Sequence, residues 1–156
     1  MRRYFFDASA AVKLYVVEPG STTVREMVRG ARATPPHTQV LVCDIVLPET
    51  LSALLQIRRS PTAARRGISA AALRLVLPQV WVDLGGEGPM LVRTASETLR
   101  AASRIVERHE LRAPDALHIA AALDINATHP VLFVSGDREQ LKVARAEGLE
   151  VIELAA

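Results

Sequence analysis

With 156 residues, 49% of them hydrophobic, the chain is long enough for one domain with a full core, residues 1–156, and short for two. Only 4% of residues are aromatic, so the core is expected to be aliphatic, and charges or prolines break every apolar run well short of the roughly 18 residues that cross a bilayer, which argues against a membrane span. The net charge of +2 hides an asymmetry: 17 of the 19 basic residues are arginine, and gathering four of the 17 acidic residues into one site would leave the rest of the surface at +6, mostly as guanidinium groups suited to phosphate, against the plainer alternative of a mixed, solvated surface.

In chain order, Arg3–Phe6 is compact and aromatic enough for a strand, and Asp7 ends it before Ala8–Tyr15 takes up a helical pattern. The opening Met-Arg-Arg-Tyr-Phe-Phe imitates a signal peptide, but Asp7 and Lys13 interrupt the apolar region, so residue 1 is expected to belong to the fold. Glu18–Ser21 reads as a turn, Thr22–Arg32 as a helix with Val24, Met27, Val28 and Ala31 on its apolar side, and Pro35-Pro36 as its stop. Thr38–Cys43 alternates as a second strand. Cys43, the only cysteine, cannot form an intrachain disulfide and is expected in the core, which fits a cytoplasmic protein. Leu47–Leu55 is a helix that opens Leu-Pro-Glu-Thr.

Arg58, Arg59, Arg65 and Arg66 gather around a break at Ser60-Pro61, a solvated loop in the simplest reading, and Ser69–Leu77 resumes as a short helix. Val80–Leu84 is expected to form a short strand and Gly85–Pro89 a flexible connection. Val92–Arg108 reads as a long helix with Ala95, Leu99, Ala102 and Val106 on one face. In Leu111–Leu123, Pro114 suits a first helical position and Asp115 then falls in the first turn, where the helix dipole favours an anion. The residues that follow are apolar almost all round, as in a helix buried on a sheet, so an acid at its mouth is either a cap or a member of a site. Pro48-Glu49-Thr-Leu echoes Pro114-Asp115-Ala-Leu, which puts Glu49 and Asp115 at equivalent places on two helices. Pro130–Ser135 reads as a buried parallel strand, Asp137 opens the helix Arg138–Glu147, Gly148 closes it and Glu150–Leu154 is the last strand.

Strands alternating with helices imply an α/β fold, a mostly parallel sheet with helices on both faces and its site beyond the carboxyl ends of the strands. Asp7 and Asp137 follow strands directly, and Glu49 and Asp115 begin helices that can start at the same edge, so all four acids can converge. Four ionised carboxylates in a cleft repel one another, and a fold gains nothing by collecting them unless something cationic is bound. Oxygen-only donors select hard cations, Mg²⁺ or Mn²⁺, and the absence of a His/Cys cluster argues against zinc. His37, His109 and His129 fall in loops or helix ends, and His118 reads more readily as a hydrogen-bonded helix histidine than as a ligand. Carboxylate-held Mg²⁺ serves phosphoryl chemistry, which points to phosphodiester hydrolysis, and an arginine-rich surface suits a polyanionic substrate.

Four segments carry a family resemblance: Phe5-Phe-Asp-Ala-Ser-Ala-Ala-Val-Lys-Leu-Tyr15, Leu47-Pro-Glu-Thr-Leu-Ser-Ala-Leu54, Leu111-Arg-Ala-Pro-Asp-Ala-Leu-His-Ile-Ala120 and Phe133-Val-Ser-Gly-Asp137. In order they resemble the acidic motifs of PIN-domain ribonucleases, and the VapC toxin branch most. The resemblance implies a three-layer PIN-like fold, a Mg²⁺-dependent endoribonuclease acting on RNA, a homodimer, and a VapB-like antitoxin that blocks the active site. Carried over by position, Asp7, Glu49, Asp115 and Asp137 would be the catalytic and metal-binding acids, with Ser9 and Ser135 as nearby polar groups. Gly136 and the Gly85–Pro89 connection depart from the family pattern without touching the acids.

Other classes fit less well. A phospho-acceptor receiver domain would need an acid beside Asp7 and a lysine after a late strand, and neither is present. A haloacid-dehalogenase-type phosphatase would want aspartate where Ser9 stands. A non-catalytic RNA-binding module would be expected to lack some of the acids. A PIN nuclease that processes RNA without any antitoxin would share the whole chemistry, and only its partner or genomic neighbour separates it from a toxin.

Overall fold

A computed structural model describes residues 1–35, 37–60, 67–85 and 91–155. The chain runs β1 (Arg2–Phe6), α1 (Ala8–Val12), α2 (Ser21–Ala33), β2 (Thr38–Cys43), α3 (Val46–Arg59), α4 (Ala70–Leu84), β3 (Leu91–Val92), α5 (Ser96–His109), α6 (Ala113–Asn126), β4 (Leu132–Ser135), α7 (Arg138–Ala146) and β5 (Glu150–Glu153). The strands form one all-parallel sheet in the order β3-β2-β1-β4-β5. The chain therefore steps outward from β1 to β3, then returns to the other side of β1 for β4 and β5. In open α/β sheets such a reversal of strand order opens a crevice at the carboxyl ends, here between β1 and β4.

Alternation along β1 decides the layers. Tyr4 and Phe6 face a core built with α1, α2, α3 and α4, among them Val24, Leu54, Leu73 and Val80. Phe5 points the other way and stacks on Phe133, ring centroids 6.0 Å apart, in a second core with α5, α6 and α7. Every residue from Ala116 to Ala122 is buried, as a helix with no polar stripe must be when it lies between a sheet and another helix. α6 packs chiefly on α5, whose own pattern is strongly two-faced.

Three sequence readings change. Val80–Leu84 is the last part of α4 and not a strand, with Leu73, Val80 and Leu84 buried at helical spacing. Leu91–Val92, placed just outside or at the start of a long helix, is instead the edge strand β3, and the helix that follows begins at Ser96. Pro114 is the second residue of α6 rather than the first, and Glu49 sits one place further into α3 than Asp115 does into α6, although both acids lie in a first turn. Arg65, Arg66 and the Gly86–Pro89 part of the expected connection lie outside the described residues. Among the described residues no helix is long and apolar enough to cross a membrane.

Candidate active site

Asp7 follows β1 directly and caps α1: its backbone is extended and its Oδ1 accepts from Ala10 N at 2.8 Å. It is only 4% exposed, and it is held by two hydroxyls, Ser9 Oγ donating to Oδ1 at 2.9 Å and Ser135 Oγ to Oδ2 at 2.8 Å. Burial pushes its pKa above the ordinary aspartate value, against the nearby His118 charge and the hydrogen bonds from Ala10, Ser135 and Ser9. Ser135 ends β4, the strand beside β1, so the two switch-point strands deliver acid and hydroxyl to one another. Two residues on, Asp137 caps α7 through Glu139 N and Gln140 N at 2.9 and 3.1 Å. Between them Gly136 N donates to Ser9 Oγ at 2.8 Å, and a side chain at 136 would reach contact with Ser9 and Lys13.

Glu49 and Asp115 arrive from the helices. Asp115 makes no cap bond to α6; its Oδ2 accepts from Arg112 Nε at 2.7 Å, one helical turn back. Its pKa is raised, first by burial and further by the charges of Asp137 and Glu49, with Arg112 opposing. Arg112 is held charged by Asp115, and Asp137 and Glu49 add to that effect. Glu49 Oε2 lies 2.6 Å from His118 Nε2, whose other ring nitrogen is 3.1 Å from Cys43 Sγ. Burial alone would lower the His118 pKa, but its bonds to Cys43 and Glu49 and the Asp7 charge outweigh that and bring it to about 10.

All four acids, with Ser9, Ser52, Gln56, Arg112 and His118, line one cleft of about 310 Å³. A larger cavity of about 430 Å³, floored by Phe6, Leu14, Val40 and Val42, includes none of the acids. Among the described residues no three acidic, histidine or cysteine side chains stand close enough together to hold an ion as they are. Two of the acids already have one oxygen engaged, Asp115 Oδ2 by Arg112 and Glu49 Oε2 by His118. Asp44, a third strand-ending acid, does not join the cleft, because it is tied to Thr94 N and Oγ1 across the sheet edge.

Cys43 lies in the core as the sequence suggested, the four acids and Ser9 that it singled out line the cleft with Ser135 bonded to Asp7, and Arg112, Ser52 and Gln56 line the cleft without having been singled out. Their signal was helical spacing: Ser52 and Gln56 lie three and seven residues after Glu49, and Arg112 three before Asp115, so each shares a helix face with its acid. Cys43 carried no such signal, since it meets His118 only through tertiary packing.

No curated protein sequence matches the chain. Among solved structures it is similar to a toxin–antitoxin complex from Klebsiella pneumoniae at 14% sequence identity and a TM-score of 0.52, covering 96% of this chain and 95% of that one, a likeness of fold. Residues 4–146 match the PIN domain family model, a span that begins within β1 and ends with α7 and so takes in all four acids, and the chain belongs to the PIN-domain family.

Proposed function

We propose that this protein is a Mg²⁺-dependent endoribonuclease of the VapC toxin type, hydrolysing RNA phosphodiester bonds and held in check by an antitoxin. The observation that carries this reading is the meeting of Asp7, Glu49, Asp115 and Asp137, brought by β1, α3, α6 and the β4–α7 junction, in one cleft. PIN domains are generally nucleases, and a fold neighbour that comes from a toxin–antitoxin complex favours a toxin with an antitoxin over a free processing enzyme.

The donor set fits a hard divalent cation. All four side chains offer carboxylate oxygens, and two of them, Asp7 and Asp115, carry raised pKa values that a bound cation would relieve. Asp7, Glu49, Asp115 and Asp137 would hold it, and Mn²⁺ would serve as well as Mg²⁺. When bound, the ion supplies an activated water and neutralises charge on the phosphate and the departing oxygen.

The chain's own residues do the rest. Ser9 and Ser135 fix both oxygens of Asp7, so that carboxylate is oriented before any ligand arrives. Arg112, 78% exposed at the cleft mouth, has donors free to meet a phosphate once it leaves Asp115. Ser52 and Gln56 offer neutral polar groups along the α3 wall. An antitoxin would block the cleft by placing a lysine or arginine among the acids, as Arg112 does in part, with apolar residues packed on the surrounding helices.

The test is cleavage of defined RNAs with Mg²⁺, Mn²⁺ or EDTA, alongside expression of the protein alone and with its genomic neighbour. Metal-dependent cleavage is expected, with growth arrest that Asp7→Asn abolishes and the neighbour rescues. Full cleavage in EDTA would end the metal reading. Harmless expression of an active enzyme would favour an RNA-processing nuclease without an antitoxin.

A further inference from the structure

His118 is the largest polar side chain buried at the cleft. It is 1% exposed and gripped at both ring nitrogens, by Glu49 Oε2 at 2.6 Å and by Cys43 Sγ at 3.1 Å. Three elements meet in that short chain of contacts: the end of β2 through Cys43, the second turn of α6 through His118 and the first turn of α3 through Glu49. Cys43 is fully buried and its backbone is locked in the β2–β3 pairing, so its sulfur is a fixed point. The Glu49 side chain, by contrast, is 29% exposed with three torsions, and His118 is its one hydrogen-bond partner among the described residues.

We propose that His118 is a positioning residue that aims the Glu49 carboxylate into the cleft for cation binding, with Cys43 as the peg that sets the imidazole plane. This rests on the nuclease reading of the cleft. The donor count closes whichever way the ring is protonated. A neutral ring donates Nε2–H to Glu49 and accepts the Cys43 S–H at Nδ1, and a charged ring donates from both nitrogens. In either case Oε2 is engaged, and Oε1 makes no hydrogen bond among the described residues, which leaves it for a cation. A histidine that only satisfied the core would need two partners, but neither would have to be an acid of the site. Outer partners that orient a ligating carboxylate are worth 10–100-fold in metal affinity when removed.

Amide replacements separate aiming from filling. The Gln amide reaches the place of Nε2 and the Asn amide only that of Nδ1, so His118→Gln keeps the contact to Glu49 and His118→Asn keeps the contact to Cys43. The measurement is Mn²⁺ binding to the RNA-free protein, followed by electron paramagnetic resonance and by the rise in melting temperature, with the Mg²⁺ concentration for half-maximal cleavage as a second readout. His118→Gln is expected to bind within about threefold of the wild type and His118→Asn 10–100-fold more weakly. Cleavage at saturating Mg²⁺ should change less than the Mg²⁺ requirement. Cys43→Ser should stay close to wild type and Cys43→Ala should show a smaller loss in the same direction as His118→Asn.

Equal affinity in the Gln and Asn variants, whether both are kept or both are lost, overturns the assignment. Should the variants not fold, the wild type still decides: the His118 Nε2 nitrogen resonance must move on adding Mg²⁺ while that of exposed His129 does not, and an unmoved resonance overturns the assignment too. Failure of the underlying reading looks different, since wild-type protein that binds no Mn²⁺, or binds it equally after Asp7→Asn, removes the cation site itself.

Discussion

Asp7 shows how one side chain can serve both the fold and a site. The Ser135 hydroxyl has one hydrogen and, besides Ser9 Oγ at 3.2 Å, two acceptors competing for it, Asp7 Oδ2 at 2.8 Å and Gln140 Oε1 at 2.9 Å, while Asp137 N already donates to it. A protonated Asp7 would donate to Ser135 and free that hydrogen for Gln140, in keeping with the raised pKa that burial imposes. A raised carboxylate pKa means that ionised Asp7 weighs against the metal-free fold at a pH above its folded pKa, and that this burden lightens as pH falls through the folded value toward the ordinary aspartate value. Asp7→Asn is therefore expected to melt at the same temperature as the wild type or higher without metal, since Asn caps a helix as well as Asp does and its amide can donate to Ser135. Asp7→Ala instead loses the cap, about 1 kcal/mol, and the hydrogen bonds from Ser9 and Ser135, about 0.5–1.5 kcal/mol each, so it should melt well below both. Differential scanning calorimetry of the three proteins in EDTA checks the order. At the mouth, Arg112 competes for Asp115 with any divalent ion. Because Arg112 is largely exposed, Arg112→Ala should tighten Mn²⁺ binding only about 1.4- to fivefold, the equivalent of the roughly 0.2–1 kcal/mol that an exposed pair is worth.

At the scale of elements, α4 explains why a strand was expected where a helix stands. Val80, Val82 and Leu84 alternate as β-formers, but Val82 is 69% exposed, and the buried set Leu73, Val80 and Leu84 follows the helical period from further back. Ser69 starts the helix by accepting from Ala72 N at 3.1 Å, and Pro78 is accommodated within it. Ser69→Ala should lower stability by about 1 kcal/mol, read as a shift of the denaturant midpoint with unchanged slope. β3 was illegible for the opposite reason: two residues carry no periodicity, and what holds them is pairing with Val42 and Cys43 and the Asp44–Thr94 clamp just beyond.

Over the whole molecule, Glu147 joins the ends of two helices on the α5–α7 side of the sheet. It accepts from Arg108 at both oxygens, 2.8 Å each, and lies 2.7 Å from His109 Nε2. The Arg108 hydrogen bond, first, and His109 hold its pKa below the ordinary glutamate value. A depressed carboxylate pKa contributes stability that is present above about pH 4.5 and is lost as pH falls through the folded value. The melting-temperature gap between wild type and Glu147→Gln should accordingly be constant near neutrality and close below pH 4.5, and it should narrow in high salt. If the cleft takes RNA, binding to single strands should weaken with salt at a log–log slope of about −0.7 per phosphate contacted, measured by filter binding with Ca²⁺ in place of Mg²⁺.

How much of this was legible follows from the range of the forces involved. Helix and strand periodicity are local, so β1, β2, β4, α7 and β5 could be read within a residue or two, and α3 and α6 as closely at their N-termini though three or four residues short at their C-termini, and the alternation of strands and helices required a parallel sheet. The sheet in turn required strand-ending Asp7 and Asp137 to share an edge. Local pattern could not tell which strand-ending acids share a cleft: Asp44 has the same sequence address as Asp7 but is spent on Thr94 fifty residues away. Nor could it show that Asp7 and Asp137 cap their helices while Asp115, the more plausible cap by position, pairs with Arg112 instead. The contact of Cys43 with His118 spans 75 residues and that of His118 with Glu49 spans 69. Such pairs carry no periodic trace, because they arise only when β2, α3 and α6 are packed to their final distances, and that packing is what tertiary structure alone decides.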